Sequence, residues 1–490
     1  MAVHTSISDA DRAFEYKHRW TILFIVSIAQ LMVVLDATIV NIALPAAQRD
    51  LRFANHDRQW VITAYALAFG SLLLLGGKVS DLFGRKWTFI VGLVGFAVAS
   101  AIGGAANSFA ILVIARALQG AFGALLAPSA LSTLTTTFRD PVDRGKAFGV
   151  YGAVAGGGGA VGLLLGGFPT EYLSWRWCLY VNLVFAAIGL IGAIVLLRNE
   201  RPLVRAKLDL IGTAAAGIGL FFVVYGFSRA ASDGWTDWQT LASLVIAVIL
   251  LAAFVQIEKR VAHPLLPLRV VLDRTRGGSY LAVGLASIAL FGVFLFLTFY
   301  LQLNKGLSPI MTGVAFLPIV AGVLLGSTLS NITLMPIVGV RVLITAGMLL
   351  AAASMLYLSR ITQTSGYWTA VFPVLPFFGF GFGLVFAPAF NSATDRVAQD
   401  DAGVASAMVN AMQQVGGSVG TALLSTIAVS ATNSYLSSHS GANPAAEAAV
   451  HGYTVAFLVS AAIFLVGAVS VFLLIGPRRR PTAPDTRADA

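Results

Sequence analysis

Fourteen apolar runs of membrane-crossing length follow one another along this chain, from 20–44 to 452–476, most separated by short polar stretches. A hydrocarbon core about 30 Å thick takes roughly 20 helical residues to cross. Inside it the backbone has no water to bond, so such a run closes its own N–H and C=O groups as a helix. Charged residues make up 11% of the chain, against about 25% in a soluble domain. The expected fold class is an all-α integral membrane protein with 14 transmembrane helices.

An even number of spans puts both termini on one side, and basic residues choose that side. Of the 32 Lys and Arg, 24 fall in the tails and loops on the side of the termini, 7 fall on the opposite side, and Arg116 alone lies within a span. The positive-inside rule then makes both termini cytoplasmic. The net charge of +10 is therefore a topology signal, and no nucleic-acid partner is expected. Longer charged connections at 198–209 and 258–276 set off spans 7 and 8. The resulting plan is 6+2+6: a cytoplasmic N-tail at 1–19, an N-terminal six-helix bundle at 20–200, a two-helix insert with its linkers at 201–275, a C-terminal six-helix bundle at 276–476 and a cytoplasmic C-tail at 477–490. Residues 1–19 are polar and the run after them is too long for a cleavable leader, so none is expected. Arginines of the C-tail are placed to touch anionic headgroups. Cys178 is the single cysteine, which leaves no disulfide framework. The six histidines fall in tails or loops on this reading, so neither a metal site nor a histidine proton relay is expected. No GxxxxGK[ST] loop or catalytic constellation is present, so neither transport driven by this chain's own ATP hydrolysis nor an enzyme is expected.

The two six-span halves read as a parallel repeat. A shift of 258 carries Asp143, Gly158, Gly159, Val161 and Gly162 onto Asp401, Gly416, Gly417, Val419 and Gly420. A shift of 260 carries Gly123, Ala127 and Pro128 onto Gly383, Ala387 and Pro388. Parallel six-span repeats place a transport site between the halves.

Asp36 is the one acid deep inside a span. A carboxylate there costs at least roughly 2.5–3.5 kcal/mol and marks an ion or substrate pathway by default. It lies nine residues before Pro45, and Arg116 lies eight residues after Ser108. Those steps correspond to depths of roughly 14 and 12 Å from the same side, so the two can pair. The bland alternative is an ion pair that only holds helices together. The functional one is a carboxylate poised between desolvation, which favours its neutral form, and a guanidinium, which favours its anion. Asp36 is then the proton carrier and Arg116 its modulator, with Gln119 on the same helix face. The second half does not repeat the pair, since Pro376 stands 260 residues on from Arg116.

Four stretches resemble motifs of the major facilitator superfamily, in its 14-span drug:proton antiporter branch of multidrug efflux transporters. Gly77-Lys78-Val79-Ser80-Asp81-Leu82-Phe83-Gly84-Arg85-Lys86 resembles the GxxxDxxGR[RK] loop between spans 2 and 3. Arg116-Ala117-Leu118-Gln119-Gly120 resembles the RxxQG motif of span 4, and Leu35 to Pro45 (LDATIVNIALP) the first-helix signature. The glycines of span 5, followed by Ser174-Trp175-Arg176-Trp177, resemble that branch too. The resemblance implies the major facilitator fold, alternating access and no cofactor beyond the proton gradient. It also implies a monomer in a bacterial inner membrane.

Within the loop motif, a tight turn at Gly84 brings spans 2 and 3 together. Arg85 and Lys86 are expected to meet Asp81, or Asp140 and Asp143 after span 4, as a charge latch. Gly158, Gly162 and Gly166 recur every four residues and allow close helix contact. The family's GPxxGG reads here with Leu163 in place of proline, which leaves the direction of coupling open between antiport and symport. The family's architecture lines the cavity with spans 1, 4, 9 and 12, flanked by 2, 5, 10 and 13. The candidate cavity side chains are Asn41, Tyr65, Gln119, Phe294, Gln302, Phe380, Asn391, Asn410, Gln413 and Gln414. An aromatic wall with a few amides suits a bulky lipophilic solute, neutral or weakly charged. Besides the efflux of drugs or antibiotics, proton-coupled uptake, lipid export and a non-transporting membrane sensor remain as alternative uses of the fold.

Overall fold

The computed structural model describes residues 9–53, 58–198, 209–261, 264–395, 397–398, 401–438 and 444–476, and the C-tail arginines lie outside them. The helices are α1 (Asp9–Leu51), α2 (Arg58–Phe83), α3 (Arg85–Gly104), α4 (Phe109–Thr137), α5 (Pro141–Tyr172), α6 (Trp177–Leu196), α7 (Leu210–Asp233), α8 (Trp238–Glu258), α9 (Leu268–Val271), α10 (Arg274–Phe299), α11 (Pro309–Ala315), α12 (Leu317–Leu329), α13 (Met335–Leu358), α14 (Leu375–Ala393), α15 (Ala402–Ser438) and α16 (Pro444–Leu474). No strand occurs among the described residues.

Acids that are scarce inside the spans recur at helix starts. Asp140, Asp209, Asp237 and Asp273 each accept bonds from the backbone N–H groups that open α5, α7, α8 and α10, donors that a helix cannot satisfy by itself. The helices also overrun the hydrocarbon. α1 has 43 residues, roughly 65 Å at 1.5 Å per residue, about twice the core thickness. It therefore begins inside the expected N-tail and takes in His18, while α16 takes in His451. Those two histidines sit on helices, not in tails or loops.

Twelve helical segments among the described residues are long and apolar enough to cross a membrane. One of them runs 49 residues, Ile310–Leu358, and is broken at Gly339, whose φ of 80° lies outside the helical region. The 32-residue α5 is not among the twelve. Outward faces are apolar, as lipid requires: on α3, Val91, Val94, Val98 and Ile102 are exposed while Phe89, Leu93 and Phe96 are buried. The chain is an all-helical multi-pass membrane protein.

Helices α1 to α6 pack as one bundle and α10 to α16 as another, while α7 pairs with α8 and leans on both α2 and α15. Positions related by the repeat make related contacts. Gly158 and Gly162 of α5 face α1, and Gly416 and Gly420 of α15 face α10. Arg19 pairs with Asp143 at 3.0 Å, and Arg269 pairs with Asp401 at 2.7 Å.

Candidate functional site

Asp36 is fully buried where α1, α3, α4 and α6 converge. Arg116 Nη1 donates to its Oδ2, and Oδ1 accepts from Asn182 Nδ2 at 2.8 Å and Gln119 Nε2 at 3.1 Å. These donors are themselves held. Arg116 Nη1 also donates to Gln119 Oε1 at 2.8 Å and Arg116 Nε to the Val61 carbonyl at 3.2 Å. The guanidinium lies 4.4 Å from the centre of the Tyr65 ring. Ser100 Oγ accepts from Gln119 Nε2 at 2.7 Å and Asn182 Nδ2 at 3.4 Å. A buried ion pair of this kind is stable only when its remaining lone pairs and protons are bonded, and removing one member costs about 3–5 kcal/mol. All three donors face the anionic form of Asp36, whereas a protonated Asp36 would itself need an acceptor.

The helix that carries Asp36 packs its side chains directly against glycines of α5. A Cβ at Gly158 would meet Leu31 and Val34, one at Gly162 would overlap Thr38, and one at Gly166 would meet Ile39. The earlier part of the same helix turns to the other bundle: Gly145 faces the Asn331 carbonyl, Gly149 the Ser327 carbonyl, and Gly152 Ala387. The side chain of Leu163 lies outside the described residues.

At the end of the molecule where α1 begins and α16 ends, the Asp81 carboxylate feels the charge of Arg85, as expected, and the loop motif adds a latch to the other bundle. Gly84 forms the tight turn with φ 92°. Asp81 accepts from the backbone N–H of Gly403 (2.9 Å) and Val404 (3.3 Å), at the start of α15 in the other bundle. Gly77 makes the approach possible, since a Cβ there would lie 2.6 Å from the Gly403 carbonyl. Arg85 Nε donates to Ser132 Oγ at 2.8 Å, and Lys86 Nζ to the Ile194 carbonyl at 3.0 Å, near the end of α6. Asp140 and Asp143 have contacts of their own. Asp140 caps α5 and Asp143 pairs with Arg19. A second tie is Arg144, which donates to Asn391 Oδ1 at 2.8 Å and Thr394 Oγ1 at 3.1 Å.

The cavity candidates divide. Tyr65 and Gln119 are buried in the Asp36 network, and Asn391 is taken up by Arg144. Asn410 is buried and donates to the Ser406 carbonyl at 2.9 Å. The polar ends of Gln119, Asn391 and Asn410 are thus engaged by protein partners, while the buried Tyr65 hydroxyl has none among the described residues. Phe294, Gln302, Phe380, Gln413 and Gln414 are half-buried, and the Phe294 ring lies 5.2 Å from that of Phe316. The side chain of Asn41 lies outside the described residues. Sequence reasoning missed Ser100, Asn182 and Arg144. Asn182 carried a usable signal, an amide in the middle of an apolar span. Ser100 carried none, because serine is common in membrane helices.

The family profile described as Major Facilitator Superfamily matches residues 26–421. The chain is 51% identical over 464 residues to the puromycin resistance protein pur8 of Streptomyces alboniger, covering 94% of this chain and 92% of that one. It is 36% identical over 417 residues to the tetracenomycin C resistance and export protein of Streptomyces glaucescens, covering 84% and 76%. It is 32% identical over 481 residues to the lincomycin resistance protein of Streptomyces lincolnensis, covering 98% and 96%. In fold it is similar to the human organic anion transporter MFSD10 (TETRAN), with a TM-score of 0.63, 16% identity, and coverage of 92% and 98%.

Proposed function

This chain belongs to the major facilitator superfamily, and on that premise we propose that it exports a lipophilic antibiotic or drug in exchange for protons. The observation that carries the proton half of this reading is the buried Asp36 carboxylate held by Arg116, Gln119 and Asn182. A proton entering from the open side neutralises Asp36 and loosens its hold on Arg116. Closing that side and opening the other releases the proton as the guanidinium returns. Relatives named for antibiotic resistance and export support the efflux half, and puromycin is the first solute to try.

The long segment Ile310–Leu358, divided at Gly339, counts as two spans and α5 as one more, which makes fourteen with both termini in the cytoplasm. We place the protein in a bacterial cell membrane as a monomer in the 6+2+6 plan, with the end bonded through Asp81 and Arg144 facing inward. It needs no cofactor beyond the proton gradient.

Everted membrane vesicles with an imposed pH gradient test the reading. Puromycin exchange is expected in the wild type and absent in Asp36→Asn, with equal protein in the membrane. Normal exchange in that variant would remove Asp36 from the coupling step. Accumulation in right-side-out vesicles in place of extrusion would make the protein a symporter.

A further inference from the structure

Around Asp36 two buried polar atoms have no hydrogen-bond partner among the described residues, the Tyr65 hydroxyl and Asn182 Oδ1, and of these two residues Asn182 is the one whose side chain already bonds the carboxylate. Its Nδ2 donates to Asp36 Oδ1 at 2.8 Å, but its Oδ1 is buried and has no hydrogen-bond partner among the described residues. An unbonded amide oxygen in a dry interior is destabilising, so a sequence that keeps it invites an explanation. The other amide of the site has no such freedom, because Gln119 Oε1 already accepts from Arg116. Ser100 Oγ already accepts from both amides.

We propose that Asn182 is a positioning residue that serves both protonation states of Asp36, by turning its amide from donor to acceptor. With Asp36 ionised, Nδ2 donates to Oδ1, as observed. When Oδ1 takes a proton from the open side, the new O–H needs an acceptor. A half-turn of the Asn182 amide brings its oxygen to the position Nδ2 held, with no other change of shape. The proton stays on Asp36 and no covalent bond to Asn182 forms or breaks. The charged and titratable groups facing this carboxylate are Arg116 of α4, Tyr65 of α2 and Cys178 of α6. From α3 comes Ser100, and α5 meets this part of α1 with glycines.

The inference rests on the proton-coupling reading of Asp36, and the experiment separates the two. The probe is puromycin exchange in proteoliposomes, measured as its pH midpoint. Asn182→Val has neither donor nor acceptor, and Asn182→Thr has both at almost the same size. A bond to the anion is worth more than one to the neutral acid, so the valine variant should bind the proton about tenfold more tightly, its midpoint rising by about one pH unit. Threonine should return the midpoint most of the way. A purely structural role predicts lower stability in one or both variants with an unmoved midpoint, and that result would overturn the inference. If Asp36→Asn retains exchange, the parent reading fails first. If it loses exchange while the valine midpoint stays put, only Asn182 is wrong. Should the valine variant not assemble, infrared difference spectra of wild type against the threonine variant between acidic and alkaline buffer still decide. The Asp36 carboxylic C=O band, and an Asn182 amide band, should change together with pH in the wild type. A carboxylic band with no accompanying amide change would reject the switch.

Discussion

Arg116 is 1% exposed, and what it touches is more specific than a positive charge. One nitrogen serves Asp36 and Gln119 together, another the Val61 carbonyl, and the flat face lies on Tyr65. Lysine offers the charge as a point, with no fork and no plane to stack. Arg116→Lys is therefore expected to reach the membrane but to exchange puromycin at least roughly tenfold more slowly, about the effect of one lost charge-assisted bond. Exchange at the wild-type rate would mean that charge alone is what the site uses. At this scale the pairing of Asp36 with Arg116 was legible from two facts, their cost in lipid and their matching depth. Asn182 left a weaker trace, an amide in the middle of an apolar span, because an uncharged amide costs less to bury and nothing in the sequence ties it to Asp36.

At the scale of the helix, α5 connects the carboxylate to the boundary between bundles. Its early glycines touch Asn331, Ser327 and Ala387, and its later ones touch α1 at Leu31 to Ile39. The contact at Gly162 is so close that an added methyl would overlap the Thr38 hydroxyl, which already donates to the Leu35 carbonyl at 3.0 Å. Gly162→Ala should push α1 away at an overpacking cost of about 1–3 kcal/mol. The expected result is a lower melting temperature in detergent and slower exchange, both largely restored by adding Thr38→Ala. Failure of the second change to restore either would show that the glycine matters for the bend of α5 and not for this contact. The spacing of the glycines announced close packing, but it did not say which helix they would meet.

At the scale of the whole molecule, the bundles are tied at the end where α1 begins and α16 ends. Asp81 sits on the first N–H groups of α15, where the helix dipole adds to two charge-assisted bonds. Arg144 and Asn391 add a second crossing. The insert spans the same seam: Lys78 Nζ reaches the Pro264 carbonyl at 3.4 Å, Arg269 reaches Asp401, and Trp235 Nε1 bonds Thr426 at 3.0 Å. Asp81→Asn keeps the shape and removes the charge, so the closed population at this end should fall by about tenfold, the effect of roughly 1.4 kcal/mol. Pulsed electron resonance between spin labels on the neighbouring ends of α2 and α15 would read this as a longer distance. An unchanged distribution would show that the other contacts there, Gly77 with Gly403 and Arg144 with Asn391 among them, hold the end shut without the Asp81 charge.

The sequence by itself determined that the chain threads a membrane many times and which acid is out of place there. It also marked the arginine at that acid's depth. These are properties of single segments, set by the price of charge in hydrocarbon and by rise per residue. The tertiary structure alone decided that Asn182 and Ser100 complete the site, that Asp81 binds backbone of the other bundle, and that Asp140 caps α5 while Asp143 pairs with Arg19. The reason is rotational. A soluble helix shows which face is buried by its polar opposite face, but a spanning helix is apolar all round. How each helix turns about its axis, and so which side chains meet, is settled by close packing among small residues. That packing exists only once the bundle is assembled.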